Sequence, residues 1–346
     1  MNLRRTTFGF GAVLGLALIL LAVWFLPVNS RYAEHEVRFE FDGYDISGKL
    51  VLPLGKQTKS IDCLVLVHGD GAMTHDSFGY YAPYFSHFAE QGFCSFSWDK
   101  PGVAGSEGNW LSFGMDNRAR LVEKAIMALR AQPYIEVDQV GLIGFSQAGW
   151  VMPLVDTQQS AVSFSIFVSP AINWLRQSAY MTELRGGRSI AEELDDPDVV
   201  TRMLIEGATY AEFEKLAVSE ANLDADAFSP GRWEFALKNI HADMVLGLQK
   251  NSKHPTLLLT GAQDGQVNSL ETQSVFDKLI DKEMLSATHF ETAGHSMIDV
   301  DERRVMDEWD GLWLLIQVQL FGKDAFTKGY WAALDAFLAT QFDYVS

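Results

Sequence analysis

The chain has 346 residues, enough for one large α/β domain or two smaller ones with an N-terminal appendage. Apolar residues make up 48% and charged residues 21%, which suits a packed core and excludes a disordered chain. With 45 Asp plus Glu against 27 Lys plus Arg, the formal net charge is −18. Such a surface repels phosphate backbones, so nucleic acid is not an expected partner.

Arg4 and Arg5 precede an uncharged stretch from Thr6 to Ser30, whose apolar part runs from Phe8 to Leu26. As a helix that part spans about 28 Å, close to the hydrocarbon thickness of a bilayer, and it has no polar face. The arginines on its amino side set an N-in orientation, with the rest of the chain outside the cytoplasm. Residues 1–30 are therefore read as an uncleaved single-pass membrane anchor or as a signal peptide. The long apolar run and its ending Trp24-Phe25-Leu26-Pro27, without a small-x-small cleavage site, favour the anchor. Cleavage would instead give a secreted protein.

Val37 to Phe41 and Ile46 to Leu52 form an alternating antiparallel pair around the Asp42-Gly43 turn. Ile61 to Val67 and Phe93 to Trp98 are continuous apolar runs, as in strands covered on both faces. Leu121, Val122, Ala125, Ile126 and Leu129 have the spacing of an amphipathic helix. Strand Gln139 to Ile143, helix Ala148 to Gln158 and strand Ser163 to Val168 follow. The rhythm breaks at Pro170, and residues 171–254 are helical in pattern and acidic. It returns with strand Thr256 to Thr260, helix Ser269 to Ile280, strand Leu285 to Thr292, helix Arg303 to Leu320 and a last amphipathic segment, Trp331 to Phe342. Strands alternating with helices predict an α/β core (residues 31–170 and 255–346) built on a mainly parallel sheet with helices on both faces. Residues 171–254 are its helical cap insertion. Cys63 and Cys94 read as two buried thiols on neighbouring strands. A disulfide there is the less favoured alternative, because adjacent parallel strands are an awkward place for one.

The chemistry gathers at the carboxyl ends of these strands, the edge where open α/β sheets bind ligands. Gly144-Phe145-Ser146-Gln147-Ala148-Gly149 joins a buried strand to a helix. A serine hydroxyl is a poor nucleophile unless it is exposed, held by a base and near donors for the developing oxyanion. A sharp strand–Ser–helix turn gives the exposure, and the small residues Gly144 and Ala148 let strand and helix cross. The backbone N–H of Gln147 is one candidate oxyanion donor. Strand 61–67 ends in His68-Gly69-Asp70-Gly71, where the N–H of Asp70 is the second. Strand 256–260 leads into Gly261-Ala262-Gln263-Asp264-Gly265, and the next strand into Ala293-Gly294-His295-Ser296. Asp264 and His295 thus fall at the same edge as Ser146, in the order Ser…Asp…His. His289 lies within a strand and reads as a packed side chain, and His68 as part of its loop's structure. No HExxH or comparable metal spacing occurs, so neither a metal nor another cofactor is expected.

From about residue 36 to 320 the chain resembles an α/β-hydrolase. The likeness rests on the elbow at Gly144 to Gly149, the HG loop at His68 to Gly71, the D-x-x-G loop at Asp99 to Gly102, the late acid Asp264 and the terminal histidine His295. Ala148 stands where glycine is commoner, and Ala104 where many members have glycine. The resemblance implies an eight-stranded sheet with a helical cap inserted after the sixth strand. It implies acyl transfer with Ser146 as nucleophile, His295 as base and Asp264 as its orienter, on a small-molecule or lipid-like acyl substrate. A carboxylic ester or thioester is the leading expectation. An aminopeptidase-like or other amide hydrolase on the same triad is the runner-up, and a non-catalytic membrane-tethered binding protein comes third. In the cap, Trp174, Tyr180, Met181, Met203, Tyr210 and Phe213 are candidates to line an acyl site, while ordinary helix–core packing accounts for most of them equally well. The acidic run Glu192, Glu193, Asp195, Asp196 and Asp198 reads as a solvated face sooner than as a site for a substrate amine.

Overall fold

The computed structural model describes residues 32–55, 60–219, 228–251 and 253–342. The expected anchor or signal segment lies outside the described residues. Among the described ones, no helix is long and apolar enough to cross a membrane.

Eight strands form one sheet: β1 (Tyr32–Phe41), β2 (Tyr44–Pro53), β3 (Ser60–Val67), β4 (Cys94–Trp98), β5 (Glu136–Phe145), β6 (Val162–Val168), β7 (Thr256–Gly261) and β8 (Leu285–Phe290). Their order is β1-β2-β4-β3-β5-β6-β7-β8. β2 pairs antiparallel with β1 and β4, and all other pairings are parallel. The sheet is therefore mainly parallel, as the alternation of strands with helices predicts, and eight-stranded, as the resemblance implies.

The alternation of side chains along β3 divides the interior. Cys63, Val65 and Val67 face one core with Val122, Ala125, Ile126 and Leu129 of α2 (Met115–Arg130), below. Leu64 and Leu66 face the other, against Tyr84, Phe85 and Phe88 of α1 (Ala82–Gln91). Each of these large buried side chains contributes about 1.5–3 kcal/mol relative to exposure. On the α1 side, α12 (Tyr330–Gln341) adds Leu334, Phe337 and Leu338. α10 (Ser269–Leu279) places Phe276 in the α2 core.

Two helix boundaries and the state of the cysteines differ from expectation. The helix after Ser146 is only α3 (Ala148–Val151), followed by one tight turn over 152–154. Pro153 lacks the N–H that would continue the ladder. The helix expected from Arg303 starts instead at Glu308, as α11 (Glu308–Phe321). Asp307 caps it, accepting from Asp310 N while Asp310 accepts from Asp307 N, and Arg304 pairs with Asp310 outside the helix. Third, the cysteines are bonded. Cys63 and Cys94 face each other in the β3–β4 register with Cα atoms 4.5 Å apart, within disulfide reach even between parallel strands.

Between β6 and β7 stand α4 (Trp174–Leu184), α5 (Ile190–Asp195), α6 (Val199–Ile205), α7 (Tyr210–Ser219), α8 (Pro230–Asn239) and α9 (Val245–Asn251). They have a small core of their own, in which Phe213 stacks on Trp233 with ring centroids 4.6 Å apart.

Candidate active site

Ser146 follows the last residue of β5 and has φ +53°, the left-handed region that non-glycine residues rarely occupy. The turn is held from both sides: Ser146 N donates to Val168 O of β6 at 3.0 Å, and Ser146 O accepts from Gly149 N and Ala171 N. A side chain at Gly144 would run into Met152 and the Ala148 methyl, so only glycine lets the strand pass beneath α3. Strain at such an elbow is common where a nucleophile is displayed.

Asp264 and His295 come together on loops after β7 and β8. His295 Nδ1 lies 2.8 Å from Asp264 Oδ2. Asp264 is 1% exposed, and its other oxygen accepts from Gln266 N and Val267 N at 2.8 Å each. Three donors thus orient one carboxylate, which in turn fixes the tautomer of the imidazole. The second loop is braced too, since Tyr80 donates to Ser296 O at 2.9 Å. His289 stays on its strand beside Thr260 Oγ1 and the Gln273 amide.

Both residues chosen for their backbone N–H groups lie at this edge. Gln147 opens α3, and Asp70 follows Gly69, whose own backbone sits against the elbow: a Cβ there would be 3.1 Å from Phe145 O and 3.3 Å from Ser146 Cβ. What the sequence does not announce is a charged scaffold behind these two residues. Asp70 is forked by Arg232 of α8, with Nη1 on Oδ1 at 3.0 Å and Nη2 on Oδ2 at 2.5 Å. Gln147 Nε2 donates to Asp70 Oδ1 at 3.1 Å, and Gln147 Oε1 accepts from Arg118. Arg118 also donates to the His68 and Gly69 carbonyls, and Lys100 Nζ to the Gly69 and Gly71 carbonyls at 2.6 and 2.8 Å. Lys100 and Arg232 both lie over the Trp110 ring.

These groups titrate abnormally for stated reasons. Burial alone would raise the Asp70 carboxyl, but the Arg232 fork and nearby Lys100 bring it down to about 2. Burial, with Arg118 adding repulsion, holds the Lys100 ammonium well below its ordinary value. Burial, helped by Lys100, lowers His68 to about 3. His68 Nε2 lies 2.6 Å from Trp98 O and must donate to it, leaving Nδ1 to accept from Tyr81. His68 is thus a neutral strut of its loop. The Asp99 loop is held likewise: Asp99 accepts from His75 and from Gly105 N, and Ala104 takes φ +45° where a glycine would be at ease.

One signal did exist for Arg118. It sits at i+3 from Met115 and i−4 from Val122, on the buried face of α2, and a cation in an apolar stripe demands a partner. Lys100 and Arg232 carry no such mark.

The cap residues divide. Tyr180 reaches the site, donating to Asp264 O at 2.7 Å. Trp174 stacks on Trp150. Phe213, with Met203 and Tyr210 packed alongside, belongs instead to the cap's own core, because helices that meet over a sheet still need apolar faces of their own. In the acidic run, Asp198 caps α6, Glu192 caps α5, and Asp196 pairs with Arg202. Among the described residues, no group of three or more His, Cys, Asp or Glu is arranged to hold a metal ion.

No protein-family model matches the chain, and no curated protein matches it in sequence. Solved structures do match in shape. The Pyrococcus furiosus esterase Pf2001 is 14% identical, with a TM-score of 0.57 over 91% of this chain and 94% of its own. The α/β hydrolase GrgF from a Penicillium species is 16% identical, with a TM-score of 0.57 over 90% and 100%. Est1E from Butyrivibrio proteoclasticus, solved with ferulic acid bound, is 16% identical, with a TM-score of 0.51 over 83% and 98%. Likeness at such identities speaks for architecture, and the architecture of this chain is the α/β-hydrolase fold.

Proposed function

We propose that the chain is a serine hydrolase that cleaves a carboxylic ester or thioester through an acyl-enzyme on Ser146. The observations that carry this reading are the left-handed elbow serine at the carboxyl end of β5 and the Asp264–His295 couple on the loops after β7 and β8, at the same edge of the parallel sheet. His295 Nε2 takes the hydroxyl proton as Ser146 Oγ attacks the carbonyl. Asp264 holds Nδ1–H and stabilises the imidazolium. The Gln147 and Asp70 amides donate to the oxyanion of the tetrahedral intermediate. Its collapse expels the alcohol or thiol, which takes the proton from His295. Water, activated by the same imidazole, then releases the acid. The acidic cap residues serve as caps and ion-pair partners, so an ester is favoured over a substrate recognised by its free amine.

The N-terminal segment fits this reading as an uncleaved anchor through residues 8–26, with the hydrolase outside the cytoplasm. A disulfide between Cys63 and Cys94 suits that compartment.

A fluorophosphonate probe tests the chemistry: it should label the wild-type chain at Ser146 and leave Ser146→Ala unlabelled. Absence of labelling in folded wild-type protein would favour a binding protein. A panel of esters, thioesters and aryl amides then separates the substrate classes. The anchor is tested by fractionation. A chain that keeps Met1 or Asn2 and stays in the membrane after a high-salt wash supports it, and a soluble form starting near residue 28–31 overturns it.

A further inference from the structure

α11 is apolar on both sides. Leu314, Leu315 and Val318 pack towards the interior. On the opposite side Trp309, Leu312, Trp313, Ile316 and Leu320 follow each other at helical spacing. Trp309 is 78% exposed, Trp313 59% and Leu320 52%, and Phe321 at the helix end is 58% exposed. Large apolar side chains clustered at one surface mark a docking site. The patch continues onto the loop before α1: Phe78 is exposed, and its neighbour Gly79 lies against Gln319 of α11.

The position of the described chain's start indicates what covers this face. Tyr32 packs edge-on against Phe85 of α1, and burial, with Glu34 and then Asp76 adding repulsion, raises its phenol to about 12. Phe78 is two residues beyond Asp76. The far end of α11 is fastened to the same helix, through Lys323 on Glu90 at 2.8 Å. If residues 8–26 cross the bilayer, residues 27–31 remain as the tether, and fully extended they reach only about 20 Å. Tyr32, α1 and the end of α11 are therefore held close to the lipid surface.

We propose that the exposed face of α11, with Phe78, docks on the bilayer to which the chain is tethered, seating Trp309 and Trp313 among the lipid headgroups. The inference rests on the anchor reading above. Tryptophans at the rim of an apolar face suit that depth. The lipid is zwitterionic: Asp307 caps the helix, Asp301 and Glu302 precede it in sequence, and nearby Arg304 is paired with Asp310, so this segment repels an anionic surface. Apolar contact, and not charge, holds this face down.

The test uses the full chain in phosphatidylcholine nanodiscs, with and without bromine on the acyl chains, comparing wild type with W309F/W313F. Bromine quenches tryptophan at close range. Two of the nine tryptophans are removed, so wild type should lose about a fifth of its emission beyond what the variant loses. That difference should survive molar salt. Equal quenching in both chains overturns the docking, and crosslinking of W313C chains to each other would then point to a second copy on this face. Trp24 reports the anchor separately. If it alone is quenched, the anchor stands and the docking fails. If neither chain is quenched and both wash off, the anchor reading itself fails. The two tryptophans lie outside the site, so probe labelling of Ser146 should be equal in both chains and verify folding.

Discussion

Arg232 of α8 and Asp70, in the loop after β3, meet as a two-pronged fork across 162 residues of chain. In the proposed mechanism the loop of Asp70 stabilises an oxyanion; Asp70 brings a negative charge to it, and Arg232 pairs with that charge. Removing the arginine leaves that charge facing the developing oxyanion. Arg232→Gln should therefore lower kcat roughly 10- to 100-fold, the scale of a weakened oxyanion hole. D70N/R232Q should recover most of the loss, because both charges are gone. Failure of the double variant to recover, with folding intact, would show that the pair acts through cap placement alone.

The two late histidines should separate cleanly. His295→Ala should cut kcat by about three orders of magnitude or more, with little change in melting temperature. His289→Ala should cost about 1–2 kcal/mol of stability by orphaning its partners on Thr260 and Gln273. Its activity per folded molecule should hold. Steady-state kinetics beside thermal melts decide the matter, and the reverse pattern moves the base to His289.

Acid should destabilise the fold well above the carboxylate range. His68 is lowered to about 3 in the folded chain, against an ordinary value near 6.5. Between those two values the unfolded chain binds a proton that the native chain refuses, so stability falls as pH drops below about 6.5. By pH 4 the loss reaches on the order of 3 kcal/mol. His87 and His254, lowered by burial, act in the same direction. Melting temperatures followed against pH should decline less steeply in His68→Gln, although that variant starts lower. A parallel decline in both chains would remove His68 as the cause.

The disulfide closes a separation of 31 residues, worth about 3–4 kcal/mol in the chain-entropy account. C63S/C94S should be less stable than wild type by about that free energy in denaturant unfolding, and reduced wild type should match it. Alkylation of unreduced, unfolded protein should add no label. Two labels would mean that the thiols are free.

The main lines of the site were legible because they are local. An elbow such as Gly144 to Gly149, or a strand ending in His68-Gly69, puts backbone, side chain and turn within a few residues. The same locality made the parallel strands readable, since a run such as Ile61 to Val67 shows its two-sided burial directly. The charged scaffold is different in kind. Lys100 grips carbonyls some thirty positions upstream, and Arg232 finds its carboxylate only when the cap folds over. In sequence each looks like an ordinary surface cation. The aromatic residues of the cap divide for a related reason. Spacing reveals that Phe213 has an apolar side to satisfy, but not that Trp233 satisfies it. Pro153 was visible, and it ended the helix that the apolar spacing alone would have prolonged.

Among the described residues, the inserted helices touch the loops after β3 and β7, through Arg232 on Asp70 and Tyr180 on the Asp264 carbonyl. It is therefore not a detachable cassette. Grafting a foreign cap onto this sheet would strand the Asp70 carboxylate without its partner, and moving this cap elsewhere would leave an arginine without its counterpart. Any exchange intended to retune selectivity has to carry Asp70 and Arg232 as one unit, although one belongs to the sheet and the other to the insertion.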